Sequence, residues 1–316
     1  MIVVHGTKDV PAAARGGVLA IGNFDGVHRG HQALIAAAID QARQHGWPAG
    51  AIVFEPHPRE FFQPDKPHFR LTPLPRKLAL LEALGLDLAV VARFDATLAG
   101  LSAEAFIEQV LVQGLGVRHV VVGYDFRFGK GRAGDPETLR RAGAGQGFGV
   151  TVVGQVAEAG EVFSSSAVRA ELAQGDVEGA ASMLGHWWRV TGTVVSGARR
   201  GTGLGYPTAN IVLPEGTALA HGIYAVRAYC EGRRVDGAAY LGTRPTFDDG
   251  EAVLEVFLFE FAGDLYGRQM HVEFIGFVRA DAKFGSAAAL QEQMARDCER
   301  ARQILAVAPA KPVVVG

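Results

Sequence analysis

The chain has 316 residues, 48% of them apolar, a length that points to two domains with enough apolar side chains to fill two cores. Thirty-one basic and 33 acidic side chains leave a net charge of −2, which gives no electrostatic case for nucleic acid or for an anionic membrane surface. The two cysteines, Cys230 and Cys298, lie far apart with no CxxC pair, which excludes a zinc ribbon and disfavours a disulfide framework. A reducing cytoplasm is the expected location, and no run reaches the ~18 apolar residues of a membrane span.

In chain order, short aliphatic runs at 18–22, 51–54, 88–92, 119–123 and 150–153 read as strands. Between them, helical periodicity covers 31–44, 75–84, 102–113 and 136–142. Asp135-Pro136 is a good helix start, an N-cap followed by proline at the first helical position, and Ser102 caps its helix in the same manner. This alternation predicts an α/β unit, a parallel sheet with helices on both faces, whose ligands bind beyond the carboxyl ends of the strands. Two short helices at 164–174 and 176–184 are expected to close it. After Gly185 the pattern changes to strands at 187–196, 223–230, 235–241, 253–261 and 270–278, followed by one amphipathic helix at 286–305. Successive antiparallel strands suggest a small barrel or sandwich with a terminal helix. The expected domains are 1–185 and 186–316.

Two glycine-rich segments carry chemistry. The first, Gly22-Asn23-Phe24-Asp25-Gly26-Val27-His28-Arg29-Gly30-His31, runs from the first of these strands into a helix. Glycines let the backbone approach a phosphate, and the helix N-terminus presents free N–H groups. His28 and His31, three residues apart, can place two imidazole donors on one phosphate chain. Arg29 stands where zinc HExxH chemistry would need glutamate. The second segment, residues 197–210, holds Gly201, Gly203 and Gly205 and ends in Pro207-Thr208-Ala209-Asn210. Its Thr and Asn offer neutral oxygens suited to Mg²⁺ that already carries ATP phosphates. The chain has 25 arginines, 6 lysines and only two asparagines, Asn23 and Asn210, so both asparagines fall inside these motifs.

Further segments extend the pattern: Phe54-Glu55-Pro56-His57-Pro58-Arg59-Glu60, Gly123-Tyr124-Asp125-Phe126-Arg127-Phe128-Gly129, and Ser164-Ser165-Ser166-Ala167-Val168-Arg169. Downstream come Leu241-Gly242-Thr243-Arg244-Pro245-Thr246-Phe247, Leu254-Glu255-Val256-Phe257-Leu258 and Arg279-Ala280-Asp281-Ala282-Lys283-Phe284. Together they resemble the bacterial bifunctional riboflavin kinase/FAD synthetase family, from about residue 18 to residue 301. The departures are Thr202 where arginine is common, Phe257 in place of a histidine, and Asp281 in place of a glutamate.

That resemblance implies a Rossmann-like nucleotidyltransferase followed by an antiparallel β-barrel kinase with a terminal helix. It implies ATP and Mg²⁺ as cofactors, with riboflavin, FMN and FAD as substrates and products. The first half would transfer AMP from ATP to FMN. Its ATP residues would be Gly22, Asn23, Phe24, Asp25, His28, His31, Ser164, Ser165 and Arg169, and its flavin residues Pro56, His57, Asp125 and Arg127. The barrel would phosphorylate riboflavin, with ATP at Gly201, Gly203, Gly205, Thr208 and Asn210, and Mg²⁺ on Thr208 and Asn210. Glu255 would act as base there, and Arg279 and Phe284 would contact flavin. Judged on its own, the run Val253 to Phe257 alternates poorly and leaves Glu255 as much a solvent-facing residue as a base. Two alternatives stay open: a nucleotidyltransferase for another phosphorylated acceptor, and a flavin-binding regulatory protein without catalysis. The expected partners are small molecules only, with no nucleic acid and no membrane; a homo-oligomer is left open.

Overall fold

The computed structural model describes residues 1–8, 10–158, 161–195, 206–243 and 252–310. It divides into two compact units, Met1–Ser165 and Ser166–Gly316. The first begins with a strand absent from the sequence reading, β1 (Ile2–His5), followed by β2 (Val18–Ile21), α1 (Arg29–His45) and β3 (Ala49–Glu55). Next come α2 (Pro58–Phe62), α3 (Leu74–Ala83), β4 (Leu88–Arg93), α4 (Ala96–Gly100) and α5 (Ala103–Phe106), which runs into a π-helical stretch at Ile107–Gly114. Then follow β5 (His119–Gly123), α6 (Pro136–Gln146), β6 (Gly149–Val153) and a small hairpin, β7 (Ala157–Glu158) with β8 (Glu161–Val162). Asp135 caps α6 as the sequence predicts, accepting from Thr138 N at 2.8 Å.

β1 to β6 form a parallel sheet in the order β1-β4-β3-β2-β5-β6. Alternate residues of each strand feed two cores, as a sheet covered on both faces requires. Leu19, Ile21, Ile52 and Val120 pack with Phe106, Ile107 and Leu111, whereas Val18, Ala20, Ala51 and Val121 pack with Ile35, Ile39 and Leu81. The chain leaves β2 for β3 on one side and later returns to β5 on the other. The strand order therefore reverses beside β2, the kind of switch point at which open α/β sheets bind their ligands.

The second unit contains α7 (Ser165–Gln174), α8 (Val177–Leu184), β9 (Arg189–Val195), β10 (Thr208–Val212), β11 (Gly222–Cys230), β12 (Arg233–Thr243), β13 (Ala252–Leu258), β14 (Gln269–Ala280) and α9 (Ala287–Val307). Its six strands close into an antiparallel barrel, β10-β13-β12-β11-β14-β9. A barrel, not a sandwich, is the outcome. The two helices expected to close the first half group with the barrel instead. Ala220 N donates to Leu172 O at 3.0 Å, and Ala181 joins the apolar cluster of Trp187, Ala225, Ile275 and Cys298. The compact units thus part at 165/166, about twenty residues before the expected 185/186 division: α8 packs on β14, and α7 is tied through Leu172 O to the segment before β11.

Candidate active sites

The loop between β2 and α1 is held in a conformation that most side chains avoid. Phe24 and Val27 have positive φ, 49° and 45°, as does Gly26 at 86°; for a β-branched valine this is strained. Neighbours over-determine it from several sides. The Asp25 carboxylate accepts from Leu71 N (3.3 Å) and Thr72 N (3.0 Å), while Gly26 N donates to Thr72 Oγ1 at 2.9 Å. Lys77 Nζ donates to Asn23 O at 2.7 Å, Gln32 Nε2 to Val27 O at 2.8 Å, and Ser165 Oγ to Asp25 O at 2.8 Å.

His28 is the N-cap of α1, its Nδ1 accepting from His31 N at 3.3 Å. An accepting Nδ1 puts the proton of the neutral ring on Nε2. The two imidazoles stack with centroids 3.6 Å apart. Gly30 makes this possible, since a Cβ there would lie 3.1 Å from the His28 ring. Burial lowers the His28 pKa to about 4, against an opposing pull from Asp25. His31 is also pushed well down, first by burial and then by His28 and the Lys77 ammonium. Both rings are therefore neutral at pH 7. His31 Nδ1 is enclosed with no hydrogen-bond partner among the described residues, an atom whose needs an incoming ligand could meet.

The other expected residues of this half divide by position. Phe24 and Asp25 are buried behind the loop, Phe24 against the His31 ring at 5.1 Å and Asp25 bonded to the 71–72 backbone. They shape the site; their side chains do not line an open face. His57 caps α2 by accepting from Arg59 N at 3.1 Å, lies with its ring 4.5 Å from the tilted His68 ring, and has its pKa lowered to about 4, chiefly by burial. The adjacent Pro56 is exposed and follows a cis peptide bond. Asp125 and Arg127 are exposed on the loop after β5, with Arg127 3.4 Å from the α6 cap Asp135. Ser164 is half-buried, and Arg169 lies on α7 in the second unit.

Sequence reasoning missed three features here. Lys77 is buried, 3% exposed, with a depressed pKa caused by that burial. Arg70 binds Glu55 at 2.6 Å and also Glu60. Phe54, Phe61, Phe62 and Phe94 form a cluster of edge-to-face rings beyond β3 and β4, with Phe62 64% exposed. The adjacent Phe61-Phe62 pair after the Pro56-His57-Pro58 turn was the available signal.

In the barrel, β10 lies antiparallel to β13 with Asn210 opposite Glu255, and Thr208 Oγ1 sits 3.4 Å from Glu255 Oε2. β13 alternates after all: Leu254, Val256 and Leu258 are buried, while Glu255 and Phe257 are half-buried on the other face. That face borders a cavity of about 340 Å³, lined by Thr208, Tyr240, Glu255, Phe257, Arg279 and Phe284 among others. Its remaining apolar lining includes Tyr206, Leu290, Met294 and Cys298. The cavity gathers every described residue expected for the kinase except Asn210, which is 4% exposed beneath Thr208 and donates to its carbonyl at 3.4 Å. Gly201, Gly203, Gly205, Thr202 and the 244–247 turn lie outside the described residues. Both cysteines are free and buried. Among the described residues no helix is long and apolar enough to cross a membrane.

Comparison with known proteins matches residues 10–167 to the FAD synthetase family and residues 184–305 to the riboflavin kinase family. The bifunctional riboflavin kinase/FMN adenylyltransferase of Pseudomonas fluorescens is 41% identical over 307 residues, 97% of this chain and 98% of that protein. That of Escherichia coli K12 is 41% identical over 305 residues (96% and 97%), and that of Bacillus subtilis 36% over 289 (90% and 91%). A solved Streptococcus pneumoniae structure, described as a macrolide-efflux protein, superposes with a TM-score of 0.85 at 28% identity, covering 96% of this chain and 99% of its own.

Proposed function

The chain belongs to the bifunctional riboflavin kinase/FMN adenylyltransferase family, and on that premise we propose how its residues divide the work. The protein phosphorylates riboflavin to FMN and transfers AMP from ATP to FMN, using ATP and a divalent metal, with flavin as substrate and product. Adenylyl transfer is assigned to the sheet and phosphorylation to the barrel. The riboflavin kinase match begins at residue 184, which supports 185/186 as the functional division although α7 and α8 pack on the barrel.

In adenylyl transfer an oxygen of the FMN phosphate attacks the α-phosphorus of ATP, a new P–O bond forms, and pyrophosphate leaves. The nucleophile is already anionic, so the protein positions the reactants and offsets charge. His28 Nε2–H and the His31 ring donate to the triphosphate as neutral imidazoles, beside the Asn23–Gly26 backbone and Ser164. The Phe54–Phe94 cluster, with Pro56 and His57, offers an apolar contact for the flavin ring through the exposed Phe62. Asp125 and Arg127 form the facing loop.

In the barrel, Glu255 accepts the proton of the ribityl hydroxyl as that oxygen attacks the γ-phosphorus and ADP leaves. The Thr208 hydroxyl and the Asn210 amide oxygen, both neutral oxygen ligands, would suit a hard cation such as Mg²⁺, which when bound would neutralise phosphate charge. The 340 Å³ cavity, with Arg279 and Phe284 on its wall, holds the flavin. We place the protein in the cytoplasm, acting on small molecules.

The observation that carries this reading is the Thr208–Glu255 pair opening onto that cavity. Liquid chromatography of products from riboflavin, and separately from FMN, with Mg·ATP tests it. FMN and FAD from the first tube and FAD from the second are expected; absence of conversion in both would overturn it.

A further inference from the structure

Asp297 is a buried carboxylate on the flavin cavity that neither reaction uses. It lies in the middle of α9 and is 4% exposed. Its Oδ1 accepts from Arg279 Nε at 2.9 Å and from Gln293 Nε2 at 2.8 Å, and its Oδ2 accepts from Arg279 Nη2 at 2.7 Å. Gln293 and Asp297 are one helical turn apart and so share a face of α9. Arg279 is the penultimate residue of β14, so the pair ties the end of that strand to the helix at the cavity wall.

Net stability does not account for such an arrangement, because desolvating both ions offsets most of their attraction and an apolar pair would serve as well. What a bidentate pair supplies is direction. Arg279 Nη1 donates to Ala280 O at 2.9 Å, and the guanidinium carbon lies 5.5 Å from the centre of the Phe284 ring. Three of its donors are thereby committed, and the plane of the group is fixed. A flavin offers a flat ring face and carbonyl acceptors, both of which suit an oriented guanidinium.

We infer that Asp297, steadied by Gln293, is a positioning residue for riboflavin phosphorylation, holding Arg279 in the orientation that receives the flavin. The inference rests on the proposal that this cavity takes riboflavin, and it adds the C-terminal helix to the kinase site.

The test is steady-state kinetics of the full chain bearing Asp297→Asn, Arg279→Gln, both together, Gln293→Met, and separately Glu255→Gln. Asp297→Asn is expected to raise the riboflavin KM about tenfold, the size of a lost charged hydrogen bond, with kcat within about twofold. The double variant should be no worse than the poorer single one, since both act through the same group. Gln293→Met, a milder change, should shift KM the same way by less. FMN adenylylation in the same molecules reports folding of the rest of the chain. An unchanged KM in Asp297→Asn, strictly additive effects, or a fall in kcat at constant KM would each overturn the inference. If Glu255→Gln phosphorylates riboflavin normally, it is the cavity assignment that fails instead.

Discussion

Acidification should destabilise the sheet unit through His28, and the size of the effect follows from its burial. The ring has a pKa of 6.5 when unperturbed and about 4 in the fold. The folded state therefore holds the proton less tightly than the unfolded chain. Unfolding takes up a proton between these values, and stability falls as pH falls through that window. The linkage gives a loss of about 2 kcal/mol at pH 5 and about 3 kcal/mol at pH 4 relative to pH 8. His28→Asn removes the titration yet keeps a residue able to cap α1. The assay is hydrogen exchange of residues 29–45 in both proteins at pH 8 and pH 5, corrected for the intrinsic rate. Wild type should lose about 2 kcal/mol more protection than His28→Asn over that interval. An equal loss in the two proteins would refute the reasoning, as would a His28 resonance titrating near 6.5.

Glu255→Gln should lower riboflavin phosphorylation by about 10²–10⁴ while FMN is still converted to FAD, a split that product chromatography reads directly. Gly30→Ala places a Cβ 3.1 Å from the His28 ring and 3.2 Å from Phe163 O. Overpacking of about 1–3 kcal/mol is expected to misplace the stacked histidines and cut adenylyl transfer about tenfold or more, with kinase activity preserved; unaltered FAD formation would show that the stack can shift without consequence. Arg227 is 2% exposed and donates to Pro309 O (2.6 Å) and Ala308 O (2.7 Å) beyond the end of α9. Arg227→Met should cost the barrel unit about 2–3 kcal/mol, seen as an earlier thermal transition of that unit.

The local signals in the sequence determined most of the sheet and the positions of both chemical loops. Glycine-rich segments that leave a strand are visible in one dimension because backbone conformation is a local property. Ser102, Asp135 and Ser286 act as helix caps for the same reason, each accepting from an amide three residues on. His28 and His31 were legible as a pair from their spacing. That the first caps the helix and the second stacks on it came only from the fold.

Tertiary structure decided the rest, because burial depends on what the distant chain supplies. Lys77 and Asp297 are charged residues whose burial no local pattern announces, and Arg279 finds its partner only when the terminal helix closes over the end of β14. β13 reads as unalternating because both of its faces are covered, one by the barrel core and one by the wall of the cavity. The helices α7 and α8 could have closed either half on their own amphipathicity, and in the fold both group with the barrel unit. The sequence carried the motifs and their order; packing chose which charges would be held in place, since desolvation and orientation exist only once the surfaces meet.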